Sequence, residues 1–356
     1  MAAIEHYRSA GVRIELQNVP EIAERMRLRN PIEATPENLR EIAEPTSKVW
    51  AYFDHVQANA LTTAYIDCVR RKVECEAGVL EALEWCLYEV LDNVVQHSDG
   101  AVGFSMLQLH PANKRLAVCV ADAGRGIRAS LASSVTYRPK TAYDALTLAI
   151  QEGVTRNTET NQGNGLFGLT QIIDQNDGSL ILRSGKGELR LTGASVTGNN
   201  DQWAINATGG GTIVDFQLSI DRPVSLSKAL NYDPPNMFLE SLESDSGEHV
   251  LNIRDQAGGA GSREAARELK TLIMNILSDG APHIVLDFEG QAVVSSSFAD
   301  EVIGKMFVDM GMSTFASKVK LVNMNPTVAS LVDRAVARRM QDGLPSKVMT
   351  AADDPV

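Results

Sequence analysis

Three polar residues recur at every fourth position in the stretch 83–97. At this spacing Glu89, Asn93 and His97 share one face of a helix, and the leucines and valines between them form an apolar face. A carboxylate, an amide and an imidazole beside a core-facing surface fit one wall of a binding site. The same stripe is also typical of a solvated helix face with a histidine near the helix dipole.

A carboxylate ends the next apolar run, and two glycines come shortly after it. Residues 118–121 are typical of a strand, and they lead into Asp122, Gly124 and Gly126. An ionised carboxylate only accepts hydrogen bonds and therefore suits an exocyclic amine, while glycines let the backbone approach a flat ring closely. Asp and Gly also dominate ordinary turns, so a plain turn stays open.

A glycine-rich stretch that opens a helix is the third pattern. It contains Gly163, Gly165, Leu166 and Gly168. The free N–H groups at such a helix start can bind an anion. The stretch lacks the Gly-Lys-Ser/Thr of a Walker loop, and no strand leads directly into it as in a dinucleotide fingerprint. A flexible loop with a glycine cap is the alternative.

Three consecutive serines open a helix much later in the chain. Ser295, Ser296 and Ser297 follow a buried strand predicted at 283–288 and precede a helix predicted at 298–308. Serines at this position cap free N–H groups, and the helix dipole would favour a phosphate placed there. Plain N-capping is the simpler local interpretation.

The elements expected to position these residues are helices and strands of a mixed first domain and an α/β second domain. In the first domain, helices are predicted at 56–73 and 77–97, a hairpin at 102–121, a helix after Gly165 and strands near 179–183, 188–193 and 211–220. Later in the chain strands alternate with helices, which indicates an α/β domain. The fold class is therefore α+β followed by α/β.

Proline and glycine punctuation divides the chain into five parts. They are an N-terminal extension 1–46, a first domain 47–221, a linker 222–240, a second domain 241–345 and a tail 346–356. A short alternating stretch lies at 12–16 in the extension. The Gly-, Asn- and Thr-rich stretch 186–208 reads as an insert.

Composition excludes several classes of protein. The 356 residues carry a net charge of −12, which disfavours broad binding of nucleic acid or anionic lipid. No apolar run approaches a membrane span, and charged residues near the N-terminus exclude a signal peptide. The four cysteines form no CxxC pair, which indicates reduced thiols and a cytoplasmic protein.

The order of the first three patterns is more specific than any one of them. A helix with Glu-x-x-x-Asn, a strand with Asp-x-Gly-x-Gly, a long polar segment, a glycine-rich helix start and a strand beginning Gly211-Thr212 follow in turn. This order resembles the GHKL (Bergerat-fold) ATPases over roughly residues 48–220, and most closely the anti-sigma-factor serine kinases. No histidine-kinase phosphoacceptor box and no large transducer domain are visible.

The resemblance implies a role for each position and implies ATP and Mg²⁺ as cofactors. Glu89 would be the general base, Asn93 the magnesium ligand and Asp122 the carboxylate that reads adenine. The remaining positions would shape the nucleotide pocket: Gly124 and Gly126 at the adenine, Gly163, Gly165, Leu166 and Gly168 at the phosphates, Thr212 closing the adenine pocket, His97 ending the first box and residues 128–162 forming a lid.

The second domain resembles the STAS-like domains that carry Ser-Phe-Ala-Asp-Glu. In the related anti-sigma antagonists a serine between strand and helix is phosphorylated, which implies Ser296 as the acceptor here, with Ser295 and Ser297 beside it. Ser295 stands where an acidic residue is usual, and Phe298 stands where a glycine is usual.

Three functions are compatible with these patterns. The first is a switch kinase that phosphorylates a STAS-like serine in cis or in a partner protein. The second is an ATPase that uses ATP as a conformational or dimerisation switch, with the STAS-like domain as interaction module. The third is a binding module without catalysis. We expect a protein partner, either STAS-like or regulatory, and the kinase resemblance implies a homodimer. The sequence does not name the pathway.

Overall fold

The chain forms two compact units, Met1–Pro235 and Asn236–Val356, in a computed structural model. The structure describes residues 2, 4, 20–98, 100–134, 136–154, 164–202, 210–232, 234–256 and 260–343. The alternating stretch expected at 12–16 lies outside these residues.

The first unit contains an eight-stranded sheet with helices packed against it. The strands are β1 (Ile32–Glu33), β2 (Trp50–Tyr52), β3 (Gly103–His110), β4 (Arg115–Asp122), β5 (Ser179–Ser184), β6 (Gly187–Thr192), β7 (Ser195–Asn199) and β8 (Thr212–Ser219). The helices are α1 (Glu21–Arg25), α2 (Pro36–Glu41), α3 (His55–Lys72), α4 (Val79–His97), α5 (Gly126–Ala132), α6 (Ala142–Ala149), α7 (Gly165–Gln175) and α8 (Leu226–Leu230).

The sheet runs in the order β1-β2-β3-β4-β8-β5-β6-β7. Within this sheet, the β1–β2 pair of the described strands is parallel and the other pairs are antiparallel. Strand β8 therefore lies between β4 and β5, far from its place in the sequence. This insertion brings Thr212 directly opposite Asp122.

Helices α3 and α4 form where the sequence predicted them, with Gly78 between them. Gly78 has φ +74°, and a Cβ there would overlap the carbonyl oxygen of Val224. Glycine is favoured because it tolerates this left-handed conformation and leaves room for the neighbouring backbone. Leu83, Leu87 and Leu91 of α4 are fully buried in the core of the unit.

The segment predicted as a linker contains folded structure. Helix α8 lies within it, and Val224, Leu226 and Ala229 are buried in the core of the first unit. The prolines and serines around these residues led to the linker prediction, although the segment contains a short run of apolar residues. Strand β7 is likewise an element of the stretch 186–208, and it pairs with β6.

The second unit has a small parallel sheet in the order β11-β10-β9. Its elements are α9 (Met237–Leu242), β9 (His249–Asn252), α10 (Ile253–Gln256), α11 (Arg263–Ser278), β10 (Ile284–Asp287), α12 (Ser296–Ala299), a π-helical turn (Asp300–Gly304), α13 (Lys305–Met310), α14 (Met312–Lys318), β11 (Val319–Val322) and α15 (Pro326–Gly343).

The predicted helix 298–308 is therefore interrupted by a π-helical turn. Within this turn the carboxylate of Asp300 accepts two hydrogen bonds of 2.7 Å from the guanidinium of Arg339 on α15. These hydrogen bonds lower the pKa of Asp300. The predicted fold class, α+β followed by α/β, is confirmed by the two sheets and their helices.

Candidate functional site

A cavity of about 770 Å³ in the first unit gathers most of the residues singled out from the sequence. Helix α4, the ends of β4 and β8 and the first turn of α7 form its walls. The predicted site residues that line it are Glu89, Asn93, His97, Asp122, Gly126, Gly165, Leu166, Gly168 and Thr212. This volume is typical of small-molecule sites. Gly124 is not among the lining residues, and Gly163 lies outside the described part of the chain.

Helix α4 presents its polar stripe to the cavity because its apolar residues occupy the core. Leu87, Val90 and Leu91 are at most 1% exposed. Glu89 and Asn93 lie on the remaining face and line the cavity, as predicted from their spacing. Of the two interpretations of this stripe, the structure thus supports a cavity wall.

Glu89 faces the start of helix α7. Burial raises the pKa of its carboxyl, and the negative charge of Asp92 raises it further. A Cβ on Gly165 would overlap Oε2 of Glu89, so the first turn of α7 approaches this carboxylate more closely than a side chain would allow. A carboxylate with a raised pKa is well suited to accept a proton near neutral pH.

Asp122 is buried because alternate residues of β4 face the core and Asp122 is one of them. Leu116, Val118 and Val120 point inward with it, and Asp122 is 6% exposed. Burial raises the pKa of its carboxyl to about 6, although the backbone N–H of Gly124 donates a hydrogen bond of 2.7 Å to it. An acceptor of this kind is suited to a buried amine donor.

The glycines after Asp122 allow close backbone contacts beside the cavity. A Cβ on Gly124 would lie 2.5 Å from Cα of Ser98, the residue after α4. Gly126 has φ +77°, which favours glycine, and it lines the cavity directly. The backbone N–H of Gly211 donates a 2.7 Å hydrogen bond to the carbonyl of Gly124, which joins this turn to the start of β8.

Ser184, at the end of β5, was missed by the sequence analysis. Its hydroxyl accepts a hydrogen bond of 2.8 Å from the N–H of Ile127 and donates one of 2.9 Å to the carbonyl of Gly211. It also lies 3.3 Å from Oγ1 of Thr212, its register partner on β8. Ser184 therefore holds three segments around the Asp122 end of the cavity.

Asp92 is a second residue that the sequence analysis missed. It lines the cavity, its carboxylate lies 2.7 Å from Nδ1 of His55, and it also accepts a hydrogen bond from Gln96. Its position next to Asn93 could have been noted in the sequence. Its contact with His55 depends on how α3 packs against α4, which the local sequence does not reveal.

The charged side chains of the cavity wall are acidic. Among the described lining residues, Glu89, Asp92, Asp122 and Glu152 are carboxylates, and none is lysine or arginine. The described residues contain no group of three or more His, Cys, Asp or Glu that could hold a metal. Mg²⁺ usually binds one or two protein oxygens together with substrate phosphates, and Asn93 beside two carboxylates fits that donor set.

The lid expected at 128–162 is partly helical. Helices α5 and α6 contribute Ser130, Leu131 and Ala149 to the cavity wall. Helix α6 begins with a capping box, in which Thr141 and Asp144 each bond the backbone N–H of the other. Residues 155–163 lie outside the described chain.

The serines of the second unit differ in exposure and bonding. Ser295 caps α12, because its hydroxyl accepts a 3.0 Å hydrogen bond from the N–H of Phe298. The hydroxyls of Ser295 and Ser297 lie 2.9 Å apart. Ser296 is exposed. The capping interpretation thus holds for Ser295 and leaves Ser296 as the accessible hydroxyl of the three.

Comparisons with known proteins find a match only for a part of the second unit. No curated protein and no solved structure matches the chain. The described helices include none with the length and apolarity needed to cross a membrane. A family model described as a STAS-like domain of unknown function (DUF4325) matches residues 265–329. The predicted STAS-like domain is thereby confirmed for this part of the chain.

Proposed function

We propose that the first unit binds ATP with Mg²⁺ and transfers the γ-phosphoryl group to a serine hydroxyl. The observation that carries this proposal is the shared cavity. Three separate stretches of sequence, 89–97, 122–126 and 164–168, meet around it with Thr212. Each stretch alone had an ordinary structural explanation, and these explanations do not account for their convergence on one cavity.

The ends of the cavity suit the two ends of a nucleotide. Gly124 contacts Ser98 at the carboxyl end of α4, so the adenine would lie there against Asp122. Glu89 lies nine residues earlier on α4, or about 13 Å along its axis at 1.5 Å per residue. The phosphates would then meet the amino end of α7, where free N–H groups favour anions.

Asn93 lies one helical turn from Glu89 and faces the same cavity. Its side-chain oxygen would hold Mg²⁺, with water and phosphate oxygens as the other ligands. Bound Mg²⁺ would neutralise part of the phosphate charge. The protein itself contributes position, an acceptor for a proton and exclusion of water from the buried half of the cavity.

Glu89 is the residue we assign to proton transfer. Its carboxylate would accept the hydroxyl proton as the hydroxyl oxygen bonds to the γ-phosphorus, while the bond from that phosphorus to the β–γ bridging oxygen breaks. ADP leaves with the bond's electron pair. Most of the catalysis in such reactions comes from positioning and charge stabilisation, and general-base assistance adds about 10²- to 10⁴-fold.

Ser296 is the acceptor that the second unit best supports, because it is exposed whereas Ser295 is engaged in capping. Transfer in cis and transfer to a STAS-like partner protein are both consistent with this assignment. A regulatory partner and a homodimer are part of the proposal as well, carried over from the resemblance to the anti-sigma kinases.

A non-kinase ATPase is the second candidate. The observation that favours it is a departure from the phosphorylated pattern, because Ser295 stands where an acidic residue is usual and Phe298 stands where a glycine is usual. In that case the proton would come from water, phosphate would be released, and the STAS-like domain would act only as an interaction module.

The deciding experiment incubates the full chain with Mg²⁺ and ATP labelled on its γ-phosphate. Transfer to protein, located at Ser296 by peptide mapping and absent in Ser296→Ala, would support the kinase. Released phosphate without labelled protein would support the ATPase. Glu89→Gln should reduce either reaction about 10²- to 10⁴-fold while nucleotide still binds.

Glu84→Gln is the matched control for Glu89→Gln. Glu84 lies on the same helix but does not line the cavity, so this variant should keep wild-type turnover. Absence of Mg-ATP binding in calorimetry would contradict the whole proposal. If Mg-ATP binds but neither labelled protein nor released phosphate appears, the first unit would be a binding module without catalysis.

A further inference from the structure

The segment that leads out of the first unit forms part of the cavity wall. After β8 the chain continues through α8 to Tyr232, and both Leu230 and Tyr232 line the cavity. Three residues further on, at Pro235, the first unit ends. We call residues 220–232 the exit segment.

An aromatic pair connects the exit segment to the functional stripe of α4. Trp85 lies one turn before Glu89 on the same face and also lines the cavity. The indole Nε1–H of Trp85 donates a hydrogen bond of 3.2 Å to the hydroxyl of Tyr232. The cavity-facing side of α4 therefore includes Trp85 as well as Glu89 and Asn93, and Trp85 connects this side of the helix to the exit segment.

Helix α7 contacts the exit segment near its amino end. A Cβ on Gly168 would overlap the indole ring of Trp85 and would lie 2.7 Å from Cδ2 of Leu230. The backbone of α7 is thus in direct contact with both side chains, without room for a methyl group. Close packing of this kind transmits small displacements rather than absorbing them.

The carboxyl end of α7 is attached to the exit segment as well. Asn176, which is fully buried, donates hydrogen bonds to the carbonyls of Ser219 (3.0 Å) and Arg222 (2.7 Å). The side chain of Gln175 accepts a 3.1 Å hydrogen bond from the N–H of Ser225. Both ends of α7 are therefore fixed to the chain between β8 and the end of the unit.

We infer that nucleotide in the cavity changes the conformational freedom of the exit segment through α7 and the Trp85–Tyr232 pair. This inference rests on the proposed function, because the phosphates would bind at the amino end of α7. A ligand that contacts the amino end of α7 in one conformation favours that conformation, and the coupling is reciprocal. The exit segment is the covalent path to the STAS-like unit, so it is suited to carry the signal of occupancy.

Hydrogen exchange on the full chain tests the inference. Backbone amides of residues 89–97 and 164–170 report binding in the cavity, and those of residues 222–232 report the exit segment. With Mg-ATP, both sets should exchange more slowly in the wild type. Tyr232→Phe removes only the hydroxyl that accepts the hydrogen bond from Trp85. At saturating Mg-ATP this variant should largely lose protection of 222–232, while 89–97 and 164–170 stay protected.

Tyr88→Phe is the matched control. Tyr88 lies on the same helix as Trp85 but does not line the cavity, so this variant should behave like the wild type. Protection of 89–97 without any change at 222–232 in the wild type would overturn the inference and leave the proposed function intact. Equal protection in Tyr232→Phe and wild type would overturn the role of the pair. Absence of protection in both sets would overturn the proposed function together with the inference.

Discussion

Asp122 is a buried carboxylate, and the nucleotide-binding role that we propose for it requires its charge. Burial raises its pKa to about 6, so roughly half of the molecules carry a proton on it at that pH. The 6-amino group of adenine is a donor and favours the ionised carboxylate. Binding near pH 6 should therefore release a proton from the free protein.

The first prediction concerns the pH dependence of nucleotide affinity. Because binding selects ionised Asp122, affinity should fall about tenfold for each pH unit below about 6. Calorimetry between pH 5 and 8 would measure it. Asp122→Asn should bind more weakly at pH 8 and lack this part of the decline, which separates it from titration of the phosphates. A wild-type decline identical to that of the variant would contradict the assignment.

The raised pKa of Asp122 also predicts a lower free energy of unfolding at neutral pH than at acidic pH. Its folded pKa is raised, so its favourable contribution is present below the unfolded pKa of about 3.9 and is lost as pH rises through about 6. The loss is at most about 3 kcal/mol of unfolding free energy. In urea unfolding, Asp122→Asn should gain stability relative to the wild type between pH 4 and pH 8. A difference that stays constant over this range would argue against a buried, ionised Asp122.

Residues were predictable where their position follows from local periodicity. Glu89 and Asn93 follow from a helix period, and Asp122 follows from its place at the end of an apolar run before two glycines. Ser184 could not be found in this way, because its partners come from β8 and α5, and their proximity depends on the insertion of β8 beside β5.

At the scale of elements, the close approach of α4 and α7 is the feature most open to mutation. Gly165→Ala would place a methyl group against Oε2 of Glu89. That atom is the end of a flexible side chain, so we expect unfolding free energy to change by less than about 1 kcal/mol while turnover falls at least tenfold.

Gly261→Ala provides a matched control for this substitution, since a Cβ there meets nothing within 4 Å. It should alter neither stability nor turnover by a measurable amount. Paired measurements of thermal unfolding and phosphate transfer would check both variants. Wild-type turnover in Gly165→Ala would show that Glu89 can move without loss of activity.

Substitution of Asn176 should lower the free energy of unfolding. Asn176→Ala would leave the buried carbonyl of Ser219 and the carbonyl of Arg222 without this donor, at a cost of about 2–4 kcal/mol of unfolding free energy. Chemical denaturation would measure the loss. Asn59, exposed on α3, is the control position, and Asn59→Ala should stay within about 0.5 kcal/mol of the wild type.

Elements with a long periodic pattern were predicted well, and short ones were not. Helices α3 and α4 have continuous apolar faces and lie close to the predicted ranges. Helix α8 has five residues in a proline-rich segment, and only its burial against the first core stabilises it there. The π-helical turn at Asp300–Gly304 depends on packing and on Arg339, not on local preference.

For the whole molecule, the acidic charge predicts how nucleotide affinity depends on magnesium. The chain has a net charge of −12, and the described cavity wall holds four carboxylates without lysine or arginine. These carboxylates would therefore repel the phosphates of ATP when Mg²⁺ is absent, and no described lysine or arginine of the cavity wall offsets them. Affinity for ATP should fall at least tenfold when Mg²⁺ is chelated. Adenosine lacks phosphates and should bind equally well with or without Mg²⁺, and unchanged ATP affinity in chelator would contradict the prediction.

The edges of the eight-stranded sheet limit how copies of this protein can associate. At one edge, β1 is only two residues long, and at the other, β7 (Ser195–Asn199) is exposed and mostly polar, with Gly198 within it. Long, flat, apolar edges recruit further strands, whereas short or polar edges resist them. A homodimer should therefore not continue the eight-stranded sheet from one copy into the next, and concentrated protein should resist strand-mediated aggregation at these two described edges.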